Sequence, residues 1–239
     1  MKQHSETAAA AVAALIRCQM CTAQADFESV VEHMGELAEI GEQIGSKAYS
    51  AMGLEHVASS MMWLTRYDEA QETAKAALQV AREIGDREHE AAVLTVTLPM
   101  IAIRNGDLEQ AQDFLAEGVE IAAHINALFP GVIGKWFLAE IARWQGDYER
   151  ALALGNEALA QAMPVEEMMP WLVVLVLGSH GSTYLQISEQ FGDEIVKFHH
   201  HALALLESPA AVMTAGSTWA ELGFCAMALG DFPLAKEVF

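Results

Sequence analysis

The sequence has few cysteines, few basic residues and no long apolar run. Its three cysteines are too few, and odd in number, for a disulfide framework, which predicts a reducing compartment. Lys and Arg total 13 against 33 Asp and Glu, a formal net charge of −20. This lack of cations argues against binding nucleic acid or an anionic membrane. Residues 171–177 form the longest uncharged apolar run near the middle of the chain, far below the ~20 residues of a membrane helix.

What the chain does have is apolar material, 53% of 239 residues, which excludes a disordered acidic tail. The N-terminus needs separate treatment, because the run Ala8 to Ile16 followed by residues 23–25 resembles a signal peptide. Glu6 and Arg17 flank that run, and the run is mostly Ala, which is a strong helix former. The sequence therefore favours a first amphipathic helix in a cytoplasmic protein over a secretion signal.

A repeat of about 41 residues runs through the whole chain. An acidic or Gly-Asp turn precedes a large residue, with Ala or Val three residues later, and the large residue recurs in steps of 40, 41, 40, 43 and 41; the fifth copy is degenerate and lacks the Ala. The large residues are Phe27, Tyr67, Leu108, Tyr148, Phe191 and Phe232. A second marker has the same step, at Ile44-Gly45, Ile84-Gly85 and Ile125-Asn126. Two markers with one period predict a repeat architecture.

Each marker has a physical role in a helix pair. Gly-Asp makes a tight turn between helices, since Gly adopts the left-handed conformation and Asp caps the next helix. Ile-Gly and Ile-Asn are typical of a helix C-terminus. The fixed Ala lets two helices approach closely. Because a lone pair cannot bury its apolar stripe, neighbouring pairs must stack.

These residues resemble the tetratricopeptide repeat family. The last copy carries the resemblance most fully, with a W-x-x-L-G pattern followed by G-D-aromatic-x-x-A: Trp219, Leu222, Gly223, Ala226, Gly230, Phe232 and Ala235. The period exceeds the standard 34 residues of that family, and such long repeats resemble those of large bacterial regulators. Pro99 replaces a small residue in the first helix of the third copy, so a straight helix is not expected there.

The predicted fold is all-α, a right-handed superhelical solenoid of about six antiparallel helix pairs forming one domain over residues 1–239. The predicted repeats are 5–45, 46–86, 87–127, 128–165, 166–208 and 209–239. The last copy stops at Phe239 within its second helix, with no polar capping helix after it. We therefore expect a fragment of a longer protein.

Three patterns that imitate catalytic or metal sites have plainer explanations. Cys18 and Cys21 form a C-x-x-C, but the repeat register places both at small packing positions. Consecutive histidines at 199–201 point about 100° apart on a helix and cannot converge on one metal ion. The run Gly178 to Ser182 is not a G-x-S-x-G elbow and falls within a first helix. We predict no enzyme, no metal and no cofactor.

In the tetratricopeptide register, one face of each first helix lines a concave groove. Counting back from the turns assigns nine residues to this predicted groove: Met62, Trp63, Met100, Arg104, Trp136, Glu140, Arg143, Trp144 and Phe224. For the two tryptophans at 136 and 144, groove and core are both open. Met and aromatic side chains suit an adaptable apolar surface. With only two basic residues, the groove does not favour an acidic tail.

The predicted function is binding, as a non-catalytic scaffold or sensor segment of a larger bacterial regulatory protein. The expected partner is a protein, a peptide or an apolar small molecule, with no nucleic acid and no membrane. One alternative is an effector-sensing arm that controls an attached nucleotide-hydrolysing, cyclase or DNA-binding module. A second is a self-assembling module that forms a homodimer through exposed apolar surface.

Overall fold

The computed structural model of the protein describes residues 2–187 and 192–206. The predicted features at Phe191 and throughout the last repeat, including Phe224, lie outside these ranges. The chain divides into two compact units, Met1–Gly134 and Lys135–Phe239, and each is described by itself. The single domain predicted for residues 1–239 stays a prediction beside this division.

Unit 1 consists of antiparallel helix pairs. The first pair is α1 (Lys2–Ala23) with α2 (Phe27–Ile44), and the second is α3 (Lys47–Trp63) with α4 (Tyr67–Ile84). In the third pair, α5 (Arg87–Ala92), a π-helical turn (Val93–Thr97) and α6 (Leu98–Arg104) together form the first helix, and α7 (Leu108–Ile125) is the second. Helix α8 (Leu128–Trp144) begins in unit 1 and continues into unit 2.

Unit 2 continues with α9 (Tyr148–Ala162), a short 3₁₀ turn (Met163–Val165), α10 (Pro170–Ile187) and α11 (Gly192–Leu206). Helix α10 packs against both α9 and α11. The prediction of an all-α fold built from helix pairs is thereby confirmed, and the described residues contain no strand. The right-handed twist stays a prediction. None of the described helices is long and apolar enough to cross a membrane.

The helix ends follow the repeat markers. Gly45, Gly85 and Asn126 adopt the left-handed conformation directly after α2, α4 and α7, as predicted for the Ile-Gly and Ile-Asn marker. At the other turn, the side chains of Asp26, Asp107 and Asp147 each accept a hydrogen bond from the backbone N–H three residues later. These caps fix where the second helices α2, α7 and α9 begin.

The second helices bury a narrow stripe of small residues. Helix α4 buries alanines and one Leu at helical spacing, and α9 does so with Ala and Gly alone: Ala70, Ala74, Ala77, Leu78 and Ala81 in α4, and Ala151, Gly155, Ala158 and Ala162 in α9. Small side chains allow close helix approach, so the first helices pack tightly against these stripes. The first helices α3 and α10 are consequently buried on most sides.

The irregular helix expected at Pro99 is present. The segment from Arg87 to Arg104 is one residue longer than α3, and the π-helical turn Val93–Thr97 accommodates that residue. Pro99 lies two residues after this turn, and it has no N–H to donate to the carbonyl of Thr95. The repeat step changes from 40 to 41 over the same interval, so the insertion in the sequence corresponds to this wide turn.

Candidate binding surface on the first helices

In unit 1, the first helices present one stripe of side chains away from α2, α4 and α7. On α3, Met52, His56, Ser59 and Trp63 recur at helical spacing and are half-buried or exposed. Helix α3 contacts α5 and the π-helical turn, and it shares the core cluster of Cys18 and Val57 with α1, so the three stripes are neighbours. We call the set the first-helix face; its members are Val12 and Ile16 of α1, Met52, His56, Ser59 and Trp63 of α3, and Val96, Met100 and Arg104 of the third pair.

The first-helix face is mostly apolar and open. Val12 and Ile16 are 53% and 54% exposed, although both are large aliphatic residues. They precede Met52 and His56 by one repeat step of 40 residues. Val96 follows His56 by the same step and is half-buried. An apolar row on three adjacent helices is a candidate surface for a partner.

His56 is the titratable group within this face, and a buried carboxylate supports it. Its Nδ1 lies 2.7 Å from Oε2 of Glu55 and 3.1 Å from the backbone oxygen of Met52. Burial alone would lower the pKa of His56, but the charge and hydrogen bond of Glu55 raise it to about 8. Burial would raise the pKa of Glu55, yet His56 and, more weakly, His89 lower it. The pair is therefore ionised at neutral pH.

Two of the predicted groove residues make contacts at the turns. The Trp63 ring stacks on Phe27 at 5.8 Å between centroids, and the Arg104 guanidinium lies 3.9 Å from the centre of the Tyr67 ring. Phe27 and Tyr67 are the first residues of the second helices in the preceding pairs. Each contact thus joins the end of one first helix to the preceding pair and holds that end of the face in place.

Other predicted groove residues of unit 1 lie deeper. Met62 is buried and packs with Ala70 and Ile101 in the core, so it contributes packing and is not exposed. Met100 is half-buried at the edge of the same cluster. The helical period explains the difference, because Met62 precedes Trp63 by one residue and so points about 100° away from it.

In unit 2, the predicted groove residues divide between the surface and a buried polar cluster. Trp144 is 50% exposed, whereas Trp136 is half-buried against Phe137, with ring centroids 4.4 Å apart. Glu140 is buried; Nε of Arg143 donates to it at 3.2 Å, and Oγ of Ser179 on α10 donates to it as well. Arg143 compensates the charge of Glu140 within α8, and the hydrogen bond from Ser179 joins α8 to α10.

The patterns that imitate catalytic sites lie in packed or structural positions. Cys18 is buried in the core of unit 1, where burial raises the pKa of its thiol. Ser179 and His180 are buried within α10, as the small residues around them predicted. His201 lies 3.0 Å from Glu166. Within the described ranges, no group of His, Cys, Asp or Glu side chains is arranged to hold a metal ion.

Sequence reasoning missed Glu55 and His56 as site residues. The signal was available, since His56 occupies the same stripe as Met52 and Trp63 and stands out there as a titratable group. The pairing of His56 with Glu55 could not be read from the sequence, because adjacent residues on a helix point in different directions. Only the packing brings these two side chains together.

The fold defines the class of protein, an all-helical repeat protein, and comparisons with solved structures agree. The crystal structure of BtubC (BKLC) from P. vanneervenii is similar with a TM-score of 0.65 and 20% identity, covering 89% of this chain and 87% of that one. A Signal Transduction ATPase with Numerous Domains (STAND) protein with a tetratricopeptide repeat sensor, from Pyrococcus horikoshii, gives a TM-score of 0.62 and 17% identity. The match covers 94% of this chain but 35% of the STAND protein.

At such identities the likeness shows the fold alone. No protein-family model matches the chain, and no curated protein sequence does.

Proposed function

We propose that this chain is a tetratricopeptide-type binding module, a non-catalytic scaffold or sensor segment of a larger cytoplasmic bacterial regulator. Its ligand is a peptide or protein segment that contacts the first-helix face. The observation that carries the proposal is the apolar row on that face, where Val12 and Ile16 are more than half exposed and Met52, Val96 and Met100 are half-buried. Removing apolar area from water contributes about 25 cal/mol for each Å², and the surplus over the freedom lost on association appears as affinity.

The irregular third pair supports the same proposal. A π-helical turn costs stability relative to a regular helix, and such turns occur frequently at functional sites. Here the turn Val93–Thr97 supplies Val96 to the first-helix face.

The experiment is selection of binders from a random-peptide display library, followed by affinity measurement against two face variants. Ile16→Ser and Val96→Ser should each weaken the selected binders at least fivefold, since hot-spot residues of interfaces typically cost 1 kcal/mol or more. Glu109→Gln, on the exposed side of α7, is the control and should leave affinity unchanged. A library that yields no binder, or binders indifferent to both serine variants, contradicts the proposal.

Unit 2 supplies a second test surface. Trp144→Ala should weaken a partner that binds unit 2 through Trp144 by about tenfold, while the helical spectrum stays intact. Trp136→Ala is the companion change, with a larger cost to stability because that ring is half-buried. Whether the module controls an attached nucleotide-hydrolysing, cyclase or DNA-binding domain would be read from the domains flanking it in the complete protein.

Self-association is a second candidate function, favoured by one observation on α1. Met20 is 59% exposed, whereas Ser60, one repeat step later, is buried. On α1, an exposed apolar side chain thus occupies a repeat position that is buried in the next helix pair. A solution mass equal to twice that of the chain, returning to a single copy in Met20→Glu, would support this candidate, and a wild-type mass of one copy would reject it.

A further inference from the structure

The first-helix face has a polar group in the middle of an apolar row. By repeat register, His56 stands between Ile16 of α1 and Val96 of the π-helical turn. Its side chain is 39% exposed, while the Glu55 carboxylate beneath it is 11% exposed. A ligand that covers the row must therefore either pair with the imidazole or desolvate it, and an unpaired polar group costs binding free energy.

The contacts of the ring fix which nitrogen faces the ligand. Nδ1 is engaged by two acceptors, Oε2 of Glu55 at 2.7 Å and the backbone oxygen of Met52 at 3.1 Å. With two acceptors beside it, Nδ1 holds its proton in either charge state of the ring. Within the described part of the chain Nε2 has no hydrogen-bond partner. In the imidazolium, Nε2–H is thus a free donor, and in the neutral ring Nε2 is an acceptor.

The groups packed around this pair determine its charge. From its own helix α3, Glu55 contributes the carboxylate already described. From α5, His89 faces Glu55 and is itself bonded through Nδ1 to Asp86 at 2.8 Å, and from α1 the thiol of Cys18 lies near Glu55. Since the opposing carboxylate of Glu55 is buried and ionised, it favours a cationic His56 near neutral pH.

We propose that His56 is the specificity-determining residue of the first-helix face, donating from Nε2 to one carboxylate on an otherwise apolar peptide segment. This inference rests on the proposed function of the face. The occupant is a peptide because the row crosses three neighbouring helices, a span of roughly 16–20 Å at ordinary helix spacing, which exceeds a small metabolite.

A ligand with a single carboxylate suits both the positive charge of His56 and the negative net charge of the protein. The chain has a formal net charge of −20, which repels a strongly acidic ligand at long range. Screening limits that repulsion to about 8 Å at physiological salt, so one carboxylate in direct contact gains a charge-assisted hydrogen bond. The face thus selects an apolar segment with one Asp or Glu and discriminates against an acidic tail.

The test repeats the random-peptide display selection at pH 7 on three proteins, the wild type, His56→Gln and Ile16→Ser. Binders of the wild type should be enriched in one acidic residue flanked by apolar residues, and this enrichment should be absent from binders of His56→Gln. One wild-type binder is then synthesised with its acidic residue and with the matching amide. The acidic form should bind about tenfold tighter at pH 7, and the ratio should fall to one or below above pH 9, where Nε2 of the neutral imidazole accepts a hydrogen bond and favours the amide.

The outcomes separate this inference from the function on which it rests. Binders that depend on Ile16 but show no acidic enrichment, or an acid-to-amide ratio that is the same at pH 7 and pH 9, would overturn the role of His56 and leave the face intact. Binders indifferent both to Ile16→Ser and to Val96→Ser would overturn the proposed function and this inference together. Far-ultraviolet circular dichroism of each variant checks that the helices are retained, and the pH dependence of the ratio is measured on the wild type alone.

Discussion

Two histidines, the half-buried His56 of unit 1 and the buried His180 of unit 2, have opposite electrostatic environments. His56 on α3 faces the buried carboxylate of Glu55, which raises the pKa of the imidazole to about 8. His180 on α10 is 2% exposed, and burial lowers its pKa to about 4. Both residues lie on first helices, but His56 is on the outward stripe of its helix and His180 is enclosed by packing. Burial and the neighbouring side chains together determine the charge of each ring.

The surroundings of His180 explain why it is neutral. Its Nε2 donates to Oδ1 of Asn156 at 3.1 Å, and its Nδ1 is buried without a hydrogen-bond partner in the described part of the chain. The rings of Tyr184 and Phe198 approach its edges at centroid distances of 5.0 and 5.2 Å. Aromatic neighbours do not replace the hydration that an imidazolium would lose.

The largest expected effect is acid destabilisation of unit 2. Because the folded-state pKa of His180 is below its ordinary 6.5, its contribution to stability is present above pH 6.5 and is lost as pH falls toward 4. The loss is on the order of 3 kcal/mol by the size of the shift. Amide hydrogen exchange, corrected for its intrinsic rate, should show α10 losing protection over this range more steeply than α3.

His180→Leu is the matched variant for that measurement. Leu fills similar space without a titratable group, and Asn156 is exposed enough to bond to water instead. The acid-dependent loss of protection in α10 should disappear in the variant. If α10 in the variant loses protection as steeply as in the wild type, His180 is not the group responsible.

The next largest effect tests how tightly His180 is packed. A Cβ added at Gly155 would lie 2.3 Å from Nδ1 and 3.0 Å from Cε1 of His180. Gly155→Ala should therefore destabilise unit 2 by about 1–3 kcal/mol in a denaturant titration, through overpacking. Gly35→Ala in α2 is the control, since nothing lies within 4 Å of its added Cβ, and it should stabilise by about 0.5–1 kcal/mol. Equal effects of the two changes would refute the packing of α9 against α10.

Much of this architecture could be read from the sequence, and the reason is local chemistry. The left-handed ends at Gly45, Gly85 and Asn126 follow from residue types that tolerate positive φ, and the irregular helix before Pro99 follows from a missing N–H. The electrostatics could not be read in this way. Whether His56 or His180 has a carboxylate beside it depends on side-chain directions that a 40-residue period does not specify.

A smaller effect is expected from separating the charged pair of unit 1. Without the Glu55 carboxylate, burial should bring the pKa of His56 below 6.5, so Glu55→Gln should lower it from about 8 in an NMR titration. The wild-type pair contributes stability that is fully present below pH 6.5 and lost as pH rises through about 8. Because His56 is 39% exposed, screening reduces this contribution to about 1 kcal/mol or less.

Glu109→Gln, an exposed change on α7, is the control for that titration and should leave the pKa of His56 at about 8. A pKa of His56 that stays near 8 in Glu55→Gln would show that another group supplies the charge. The contrast between the two histidines would then have a different cause.

The smallest effect concerns a second difference between equivalent positions, the turn before each second helix. Thr65 in unit 1 has φ of 62°, whereas glycine occupies the same turn at Gly106 (φ 78°) and at Gly146 in unit 2 (φ 79°). The turns are alike in hydrogen bonding: the N–H groups of Thr65 and Gly146 each donate at 3.0 Å to the carbonyl three residues earlier. A β-branched residue at positive φ is strained by about 1–3 kcal/mol, and glycine is not.

Thr65→Gly should therefore stabilise unit 1, by about 0.5–1 kcal/mol, since the greater freedom of glycine in the unfolded chain offsets part of the relieved strain. The reciprocal Gly146→Thr should destabilise unit 2 by a similar or larger amount. Denaturant titrations of the two variants, each compared with the wild type, measure both free-energy changes. Opposite signs are expected because the turns share one backbone geometry and differ only in the residue placed there. Destabilisation by both changes would mean that Thr65 makes a compensating contact, and the two turns would then not be equivalent.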